Sequence, residues 1–166
     1  MYLMKPPVSE LEILEVDDIA TVVAVFDNHP MSEMASAFDS TYQVLFPTLA
    51  AQGIHPIGPG YALYTSVPSD TVSLEVGIPV DQPLDGDITA DNGIVLKNST
   101  IPGGKIARIS HLGSFDGLGQ AWGTFMESVA QAGHSADMPF WEVYVTEPSP
   151  DMDPATLQTD LYTKLK

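Results

Sequence analysis

Hydrophobic and polar positions follow the same order in two successive stretches of this chain. Each stretch opens with a β-rich run, 21–25 in the first and 105–109 in the second, and these runs are 84 positions apart. Self-similarity at a fixed separation is typical of a duplicated structural unit. The chain is therefore predicted to contain an internal repeat.

An amphipathic helix is expected after each β-rich run. Its apolar positions have the i, i+4 and i+11 spacing that places side chains on one face of a helix. These positions are Met34, Phe38 and Leu45 in the first half and Leu118, Trp122 and Val129 in the second. Each helix is expected to end just before a glycine, Gly53 or Gly133, because glycine readily adopts the left-handed conformation of a C-terminal cap.

Two further strands are expected after each helix. The run 59–64 aligns with 139–144 at a separation of 80, and 71–76 aligns with 156–161 at a separation of 85. Each half is thus predicted to be strand, helix, strand, strand. A lone half would leave one face of its sheet uncovered, so the two halves are expected to pair about a pseudo-twofold axis.

The predicted fold class is α+β: one antiparallel sheet made of two duplicated strand-helix-strand-strand modules, with both helices on one face. The whole chain, 1–166, is expected to form one ligand-binding domain, with repeat one at about 9–80, a linker at 81–103 and repeat two at about 104–166. A short strand at 11–15 is expected before Ile19. The seam between the repeats is the natural place for a cleft.

Composition narrows the classes of protein to consider. A chain of 166 residues, 44% of them hydrophobic, is large enough to form a core of its own. It has no run of ~18 apolar residues, so no membrane span is expected, and its first ten residues lack the pattern of a secretory signal. The absence of cysteine fits a cytoplasmic location, which is the expectation.

The net charge argues against direct contact with nucleic acid. Six Lys and Arg residues against 22 Asp and Glu residues give a formal charge of -16, which repels phosphate backbones. No basic helix pair of the helix-turn-helix kind precedes residue 31. Acidity of this size either keeps the surface solvated or favours cationic ligands, and composition does not separate these two interpretations.

No metal and no cofactor are expected. The four histidines have no paired ligand spacing. The run 103–105, Gly-Gly-Lys, lacks the upstream glycine of a phosphate-binding loop, and the acidic runs 85–87 and 91–93 lack the ligand order of a calcium-binding hand. These segments are interpreted as turns.

Glu142 is the strongest candidate for a functional residue. It lies in the alternating stretch PFWEVYVTEP, 139–148, where Glu142 and Tyr144 share one face and Trp141 and Val143 share the other. The repeat places Tyr64 symmetrically to Tyr144. The alternative interpretation is that Glu142 lies on the solvated face of the sheet.

Other residues are candidates for the surroundings of Glu142. Asp160 and Tyr162 alternate on the final strand, so Tyr162 is expected to complete a cup of three phenols, which would attract lipophilic cations. Glu75, the repeat mate of Asp160, is a candidate for a second carboxylate. Trp122 is expected in the core with an edge at the cleft, while Trp141 and Phe140 are divided between core and rim.

Several motifs together resemble one known family. They are PGGKIARISHLGSFDGLGQAW, PFWEVYVTEP and LQTDLYTKL in the second half, and GPGYALYTS and VSLEVGIPV in the first. Over residues 9–165 the chain resembles the GyrI-like small-molecule-binding domain, the effector-binding domain of AraC-type and MerR-type transcription activators, which also occurs alone. The resemblance implies a duplicated strand-helix-strand-strand fold.

The resemblance also carries functional expectations. It implies that bulky cationic or aromatic compounds bind in the cleft between the repeats, on a glutamate that matches Glu142. Some related stand-alone proteins are hydrolases that open cyclopropane-containing toxins. In that case Glu142 would act as acid or base, and Tyr144 and Tyr64 would orient the substrate. A third expectation, from a relative that inhibits DNA gyrase, is a protein-interaction module with an acidic surface.

Overall fold

The computed structural model describes residues 2–146 and 152–166, and in them the chain has an α+β fold, which confirms the predicted class. The nine strands are β1 (Glu12–Val16), β2 (Ile19–Pro30), β3 (Tyr61–Tyr64), β4 (Thr71–Pro79), β5 (Ile88–Thr89), β6 (Val95–Ile101), β7 (Gly104–Leu112), β8 (Ala136–Tyr144) and β9 (Gln158–Leu165). The two α-helices are α1 (Met34–Ala51) and α2 (Leu118–Gln131). Short 3-10 helices cover Tyr2–Met4, Met31–Glu33, Phe115–Gly117 and Pro154–Thr156. The last part of the predicted strand 139–148, Glu147 and Pro148, lies outside the described residues.

All nine strands form one sheet in the order β1-β7-β9-β8-β3-β4-β2-β6-β5, with antiparallel neighbours throughout. At its centre the second strand of one repeat, β3, pairs with the second strand of the other, β8. Outward from this pair the strands follow the same order in both directions. The arrangement is consistent with the predicted twofold relation, and it places the seam between the repeats along β3 and β8.

The register corrects one detail of the predicted repeat. Val23 pairs with Gly77 in repeat one and Arg108 pairs with Tyr162 in repeat two, so the first strands are 85 positions apart rather than 84. A slip of one residue moves every side chain of a strand to the other face of the sheet. The separations of 80 and 85 predicted for the other two strands agree with the pairing of Tyr64 with Leu74 and Tyr144 with Thr159.

The predicted linker 81–103 contains two strands that the turn-rich sequence did not reveal. β6 pairs with β2, and the two-residue β5 pairs with β6 at the edge of the sheet. Buried and exposed positions alternate only weakly along β6, because this strand lies close to the edge of the sheet. The two glycine caps are confirmed, since Gly53 and Gly133 have φ values of 69° and 85° just after α1 and α2.

Both helices pack on the same face of the sheet, as predicted. Leu45 and Leu49 of α1 contact Val22 and Ala24, and Phe125 and Val129 of α2 contact Ala107 and Leu161. Helical side chains that recur every three or four residues bury one stripe against the strands beneath them. We call this side of the sheet the helix face.

A second core lies on the opposite side of the sheet, which we call the inner face. It contains Tyr61, Trp141 and Tyr162 and is closed by Leu3. Only two residues separate β1 from β2, although these strands are six positions apart in the sheet, roughly 29 Å if it were flat. The sheet must therefore curl around the inner core. No helix of the described residues is long and apolar enough to cross a membrane.

Candidate functional site

Glu142 lies in β8 at the centre of the sheet. β8 runs between β9 and β3, and its residue Glu142 pairs with Leu161 on one side and Ala62 on the other. The strand alternation directs its side chain to the helix face. The residue is only 5% exposed, which excludes the interpretation of a solvated glutamate.

Three neutral groups donate hydrogen bonds to the carboxylate of Glu142. The hydroxyl of Tyr64 donates to Oε1 at 2.6 Å, and the hydroxyl of Tyr144 donates to the same oxygen at 3.1 Å. The indole Nε1–H of Trp122 donates to Oε2 at 3.2 Å. Among the described residues no Lys, Arg or His forms an ion pair with this carboxylate.

The two phenols are held in their protonated form. Burial raises the pKa of Tyr64 and the pKa of Tyr144 far above their usual range, and the negative charge of Glu142 raises both further. They are therefore hydrogen-bond donors across the physiological pH range. Such donors satisfy the carboxylate oxygens but leave a negative charge in a dry setting, where a cation would be strongly stabilised.

Aromatic rings surround the carboxylate. Phe140 stacks on Tyr64 with ring centroids 5.3 Å apart, and Trp122 packs edge-on against Phe140 at 5.0 Å. On the other side Phe38 and Phe115 each present an edge to Tyr144, at 5.7 and 6.0 Å. The rings come from both repeats and both helical regions, so the site lies on the seam.

Phe38 and Phe115 were not among the predicted site residues. Phe38 belongs to the apolar stripe of α1, so its pattern is that of a core residue. Phe115 lies in the 3-10 helix that precedes α2 and is 42% exposed. A phenylalanine among polar residues and glycines, in SFDGLG, is the sequence signal that points to it.

Four predicted site residues, Asp160, Tyr162, Trp141 and Glu75, lie on the opposite face of the sheet from Glu142, and this is a correction. Leu161 pairs with Glu142 and shares its face, so Asp160 and Tyr162 must lie on the inner face. There the ring of Tyr162 stacks on Trp141 at 5.5 Å, with an interplanar angle of 7°. Glu75 pairs with Leu63 and also lies on the inner face. The cup around Glu142 consists of two phenols and an indole, not three phenols.

The structure gives Asp160 a different partner. Its carboxylate accepts hydrogen bonds from Nε and Nη2 of Arg108 at 3.0 and 2.7 Å, and both side chains are fully buried. Arg108 also contacts Glu12 and the backbone carbonyls of Lys5 and Pro6. Asp160 is therefore part of an ion pair that ties the N-terminal segment to β7 and β9.

Metal binding has no visible basis at this site. In the described part of the chain no three or more His, Cys, Asp or Glu side chains lie close enough together to hold a metal ion. The residues around Glu142 are aromatic and phenolic, a donor set suited to organic compounds rather than to metal ions.

Comparison with solved structures shows that other proteins share this fold. The chain aligns with EcmrR in a cryo-EM structure of its complex with DNA, with a TM-score of 0.75, 15% identity, and 95% of this chain and 57% of EcmrR covered. The chain thus spans little more than half the length of EcmrR. A hydrolase from Listeria innocua aligns with a TM-score of 0.65 and 14% identity, covering 97% of this chain and 94% of the hydrolase.

A third solved structure contains a ligand. SAV2435 bound to tetraphenylphosphonium aligns with a TM-score of 0.63 and 13% identity, covering 95% of this chain and 94% of SAV2435. No curated protein sequence gives a significant match. The sequence model of the GyrI-like small molecule binding domain matches residues 10–166, nearly the entire chain. The chain therefore belongs to the GyrI-like small-molecule-binding domain family.

Proposed function

We propose that this protein binds hydrophobic organic cations, above all those with aromatic substituents, in the seam between its repeats, with Glu142 as the anionic anchor. The observation that carries the proposal is the setting of this carboxylate. It is 5% exposed, it is hydrogen-bonded only by neutral donors, and aromatic rings surround it.

A lipophilic cation supplies what this setting lacks. A buried carboxylate is costly to leave without an opposite charge, and hydrogen bonds from phenols and indoles compensate only part of that cost. A cation spread over aromatic substituents is itself weakly hydrated, and each desolvated ring face adds roughly 0.5–2 kcal/mol to its binding. SAV2435, which shares the fold, has been solved with a cation of this kind, and this supports the proposal.

Ligand entry requires the aromatic rings over Glu142 to move apart. Two cavities of the described structure, one beside Glu75 and one beside Asp18, are not lined by Glu142. Phe115 is the most exposed ring of the site and belongs to a short 3-10 helix rather than to the sheet. We expect Phe115 to move aside first, because few contacts hold a surface segment of this kind.

The test is the substitution Glu142→Gln, which keeps the shape of the side chain and removes its charge. We expect the affinity for tetraphenylphosphonium to fall by about 10- to 100-fold, the effect of losing a desolvated charge partner. The affinity for neutral triphenylphosphine oxide should change less than about threefold. Titration followed by Trp122 fluorescence measures both, because this indole contacts the carboxylate.

A matched control is Glu127→Gln, the same chemical change at an exposed position of α2. It alters the net charge equally but leaves the site intact, so its affinity for both probes should equal that of the parent protein. If Glu142→Gln and the parent bind tetraphenylphosphonium equally, Glu142 is not the anchor.

A hydrolase is the second candidate function, favoured by one contact. The bond of 2.6 Å between the Tyr64 hydroxyl and Glu142 places an exchangeable proton beside a buried carboxylate, a pair suited to general acid–base chemistry. In such a reaction Glu142 would direct water to a strained electrophilic ring and Tyr144 would orient the substrate. One ring carbon would gain the hydroxyl group and the other the proton as the bond between them opens. A hydrolase of Listeria innocua has the same fold.

Mass spectrometry distinguishes the two functions. A hydrolase would convert a cyclopropane-bearing aromatic substrate to a product heavier by one water, and the Glu142→Gln protein would not. Recovery of unchanged substrate after prolonged incubation with the parent protein, under conditions where the compound binds, would leave binding as the function.

A further inference from the structure

The two repeats carry a carboxylate at equivalent positions of their third strands. At the separation of 85 established by the register, Glu75 of β4 corresponds to Asp160 of β9. The residue diagonally across from each carboxylate on the neighbouring strand is Arg108 in repeat two and Val23 in repeat one. The repeats therefore differ in whether the protein itself supplies a cation.

In repeat two the carboxylate is fully neutralised. Arg108 donates two hydrogen bonds to Oδ2 of Asp160, and the hydroxyl of Ser110 donates to Oδ1 at 2.7 Å. All of this takes place at the inner face in the absence of bulk water, since Arg108 and Asp160 are 0% exposed. The amide of Gln158 also donates to Oδ1, at 3.0 Å. A guanidinium, a hydroxyl and an amide are thus the partners that this position of the fold accommodates.

In repeat one a hydroxyl is supplied from a different strand and the guanidinium is missing. Ser99 of β6 donates a hydrogen bond to Glu75 across β2, whereas Ser110 is paired directly with Asp160. Val23 cannot supply charge, and no ion pair to Glu75 forms among the described residues. The lysine of β6 on this face, Lys97, points to Asp87, with 3.9 Å between Nζ and Oδ2.

Space is available beside Glu75. Glu75 lines a cavity of about 380 Å³ at the inner face, on the opposite side of the sheet from Glu142. Its apolar lining includes Leu63, Met138 and Pro139, and Thr65 and Thr100 also line it. The walls come from both repeats, so this cavity also lies on the seam.

We propose that this cavity is a second binding site, for a small compound that carries a planar guanidinium or amidinium group on an apolar body. The cation pairs with Glu75 and supplies the positive charge that Arg108 gives to Asp160 in repeat two. A planar fork of N–H donors matches a carboxylate in two parallel hydrogen bonds, which a lone ammonium cannot do. The apolar body contacts Leu63, Met138 and Pro139. This site is independent of the one proposed at Glu142.

Benzamidine is a suitable probe, with neutral benzamide as its isosteric control. We expect saturable binding of benzamidine to the parent protein by calorimetry or by chemical-shift changes, and at least tenfold weaker binding to Glu75→Gln, about the effect of a lost charge-assisted pair. Benzamide should bind neither protein measurably. The Glu142→Gln protein should bind benzamidine within about threefold of the parent.

Three results would overturn this inference. The first is no saturable binding of benzamidine to the parent protein up to about 10 mM, which corresponds to a binding free energy weaker than about 3 kcal/mol. The second is equal affinity of the parent and Glu75→Gln proteins for benzamidine. The third is loss of benzamidine binding in Glu142→Gln rather than in Glu75→Gln. The last result would assign benzamidine to the Glu142 site, and so would leave the proposed function standing. Circular dichroism checks that Glu75→Gln, a change at a half-buried position, leaves the fold intact.

Discussion

The protein is expected to unfold steeply above pH 10. All six of its tyrosines have a pKa raised by burial, which is the largest cause in every case. The unfolded chain loses these phenolic protons near pH 10 while the folded protein keeps them. Because the unfolded state then binds fewer protons than the native state, its free energy falls relative to the native state as the pH rises.

The slope is the measurable quantity. A tyrosine that is neutral in the folded protein and ionised in the unfolded chain removes about 1.4 kcal/mol of unfolding free energy per pH unit, so six remove at most about 8 kcal/mol per unit. The stabilising effect is complete below pH 10 and is lost above it. Urea unfolding at pH 8, 9, 10 and 10.5, with phenolate absorbance read in parallel, measures both the slope and the protons released.

Tyr2→Phe is the matched control for this prediction. The hydroxyl of Tyr2 is buried and has no hydrogen-bond partner among the described residues, so its loss should leave stability at pH 7 unchanged or slightly higher. The slope above pH 10 should decrease by one tyrosine's share. An unfolding free energy that stays level up to pH 11, or six phenols that titrate normally in the folded protein, would contradict the expectation.

The second large effect is expected from Asp160→Asn. The substitution keeps the shape of the side chain but leaves the guanidinium of Arg108, which is 0% exposed, without its buried counter-charge. Breaking a buried ion pair on one side costs about 3–5 kcal/mol, because the remaining charge cannot return to water. Urea unfolding at pH 7 should therefore show a loss of this size in the free energy of unfolding.

Glu12→Gln serves as the comparison. Glu12 also contacts Arg108, at 3.3 Å, but its side chain is 28% exposed, so its removal should cost only about 1 kcal/mol or less. Because Asp160 lies on the inner face, Asp160→Asn should leave the affinity for tetraphenylphosphonium unchanged under conditions where the protein is folded. Equal losses of stability in the two variants would mean that the buried pair is not the anchor of this region.

The proposed binding of a cation at Glu142 predicts a change in the stability of the protein. The carboxylate is costly to the ligand-free state, and a cation that binds only the folded protein lowers the free energy of that state by mass action. A lipophilic cation at 100 times its dissociation constant should stabilise the protein by about 2.7 kcal/mol. The melting temperature therefore reports binding without a labelled ligand.

Much of the fold could be read from local pattern. The helices, their glycine caps and the strands at 59–64 and 139–144 follow from periodicity and from the repeat, since these features depend on neighbours a few residues away. That the side chains of Glu142 and Tyr144 share one face of β8 was predictable for the same reason. Tyr64 was found through the repeat, because equivalent positions of two like modules meet where the modules pair.

The remaining members of the site depended on contacts between distant segments. Asp160 and Tyr162 were predicted to belong to the cup around Glu142. Alternation within β9 shows that they share a face, but the register of β9 against β8 decides which face of the sheet that is. The same holds for the first strands of the two repeats. Their predicted separation of 84 positions differs by one residue from the observed separation of 85, and only the strand pairing shows this. The contact of Phe115 with Tyr144 likewise joins two distant segments of the chain.

By itself, the sequence determined that the chain is duplicated, which elements each repeat contains, and that position 142 carries a charge on the same side as a phenol. Only the tertiary structure decided which groups bond to that charge, and which side of the sheet each carboxylate occupies. It also decided that Arg108 neutralises Asp160, while Glu75 has no ion-pair partner among residues 2–146 and 152–166. The physical reason is that secondary structure is set by interactions over a few residues. The pairing of strands from distant parts of the chain is instead set by the packing of the whole core.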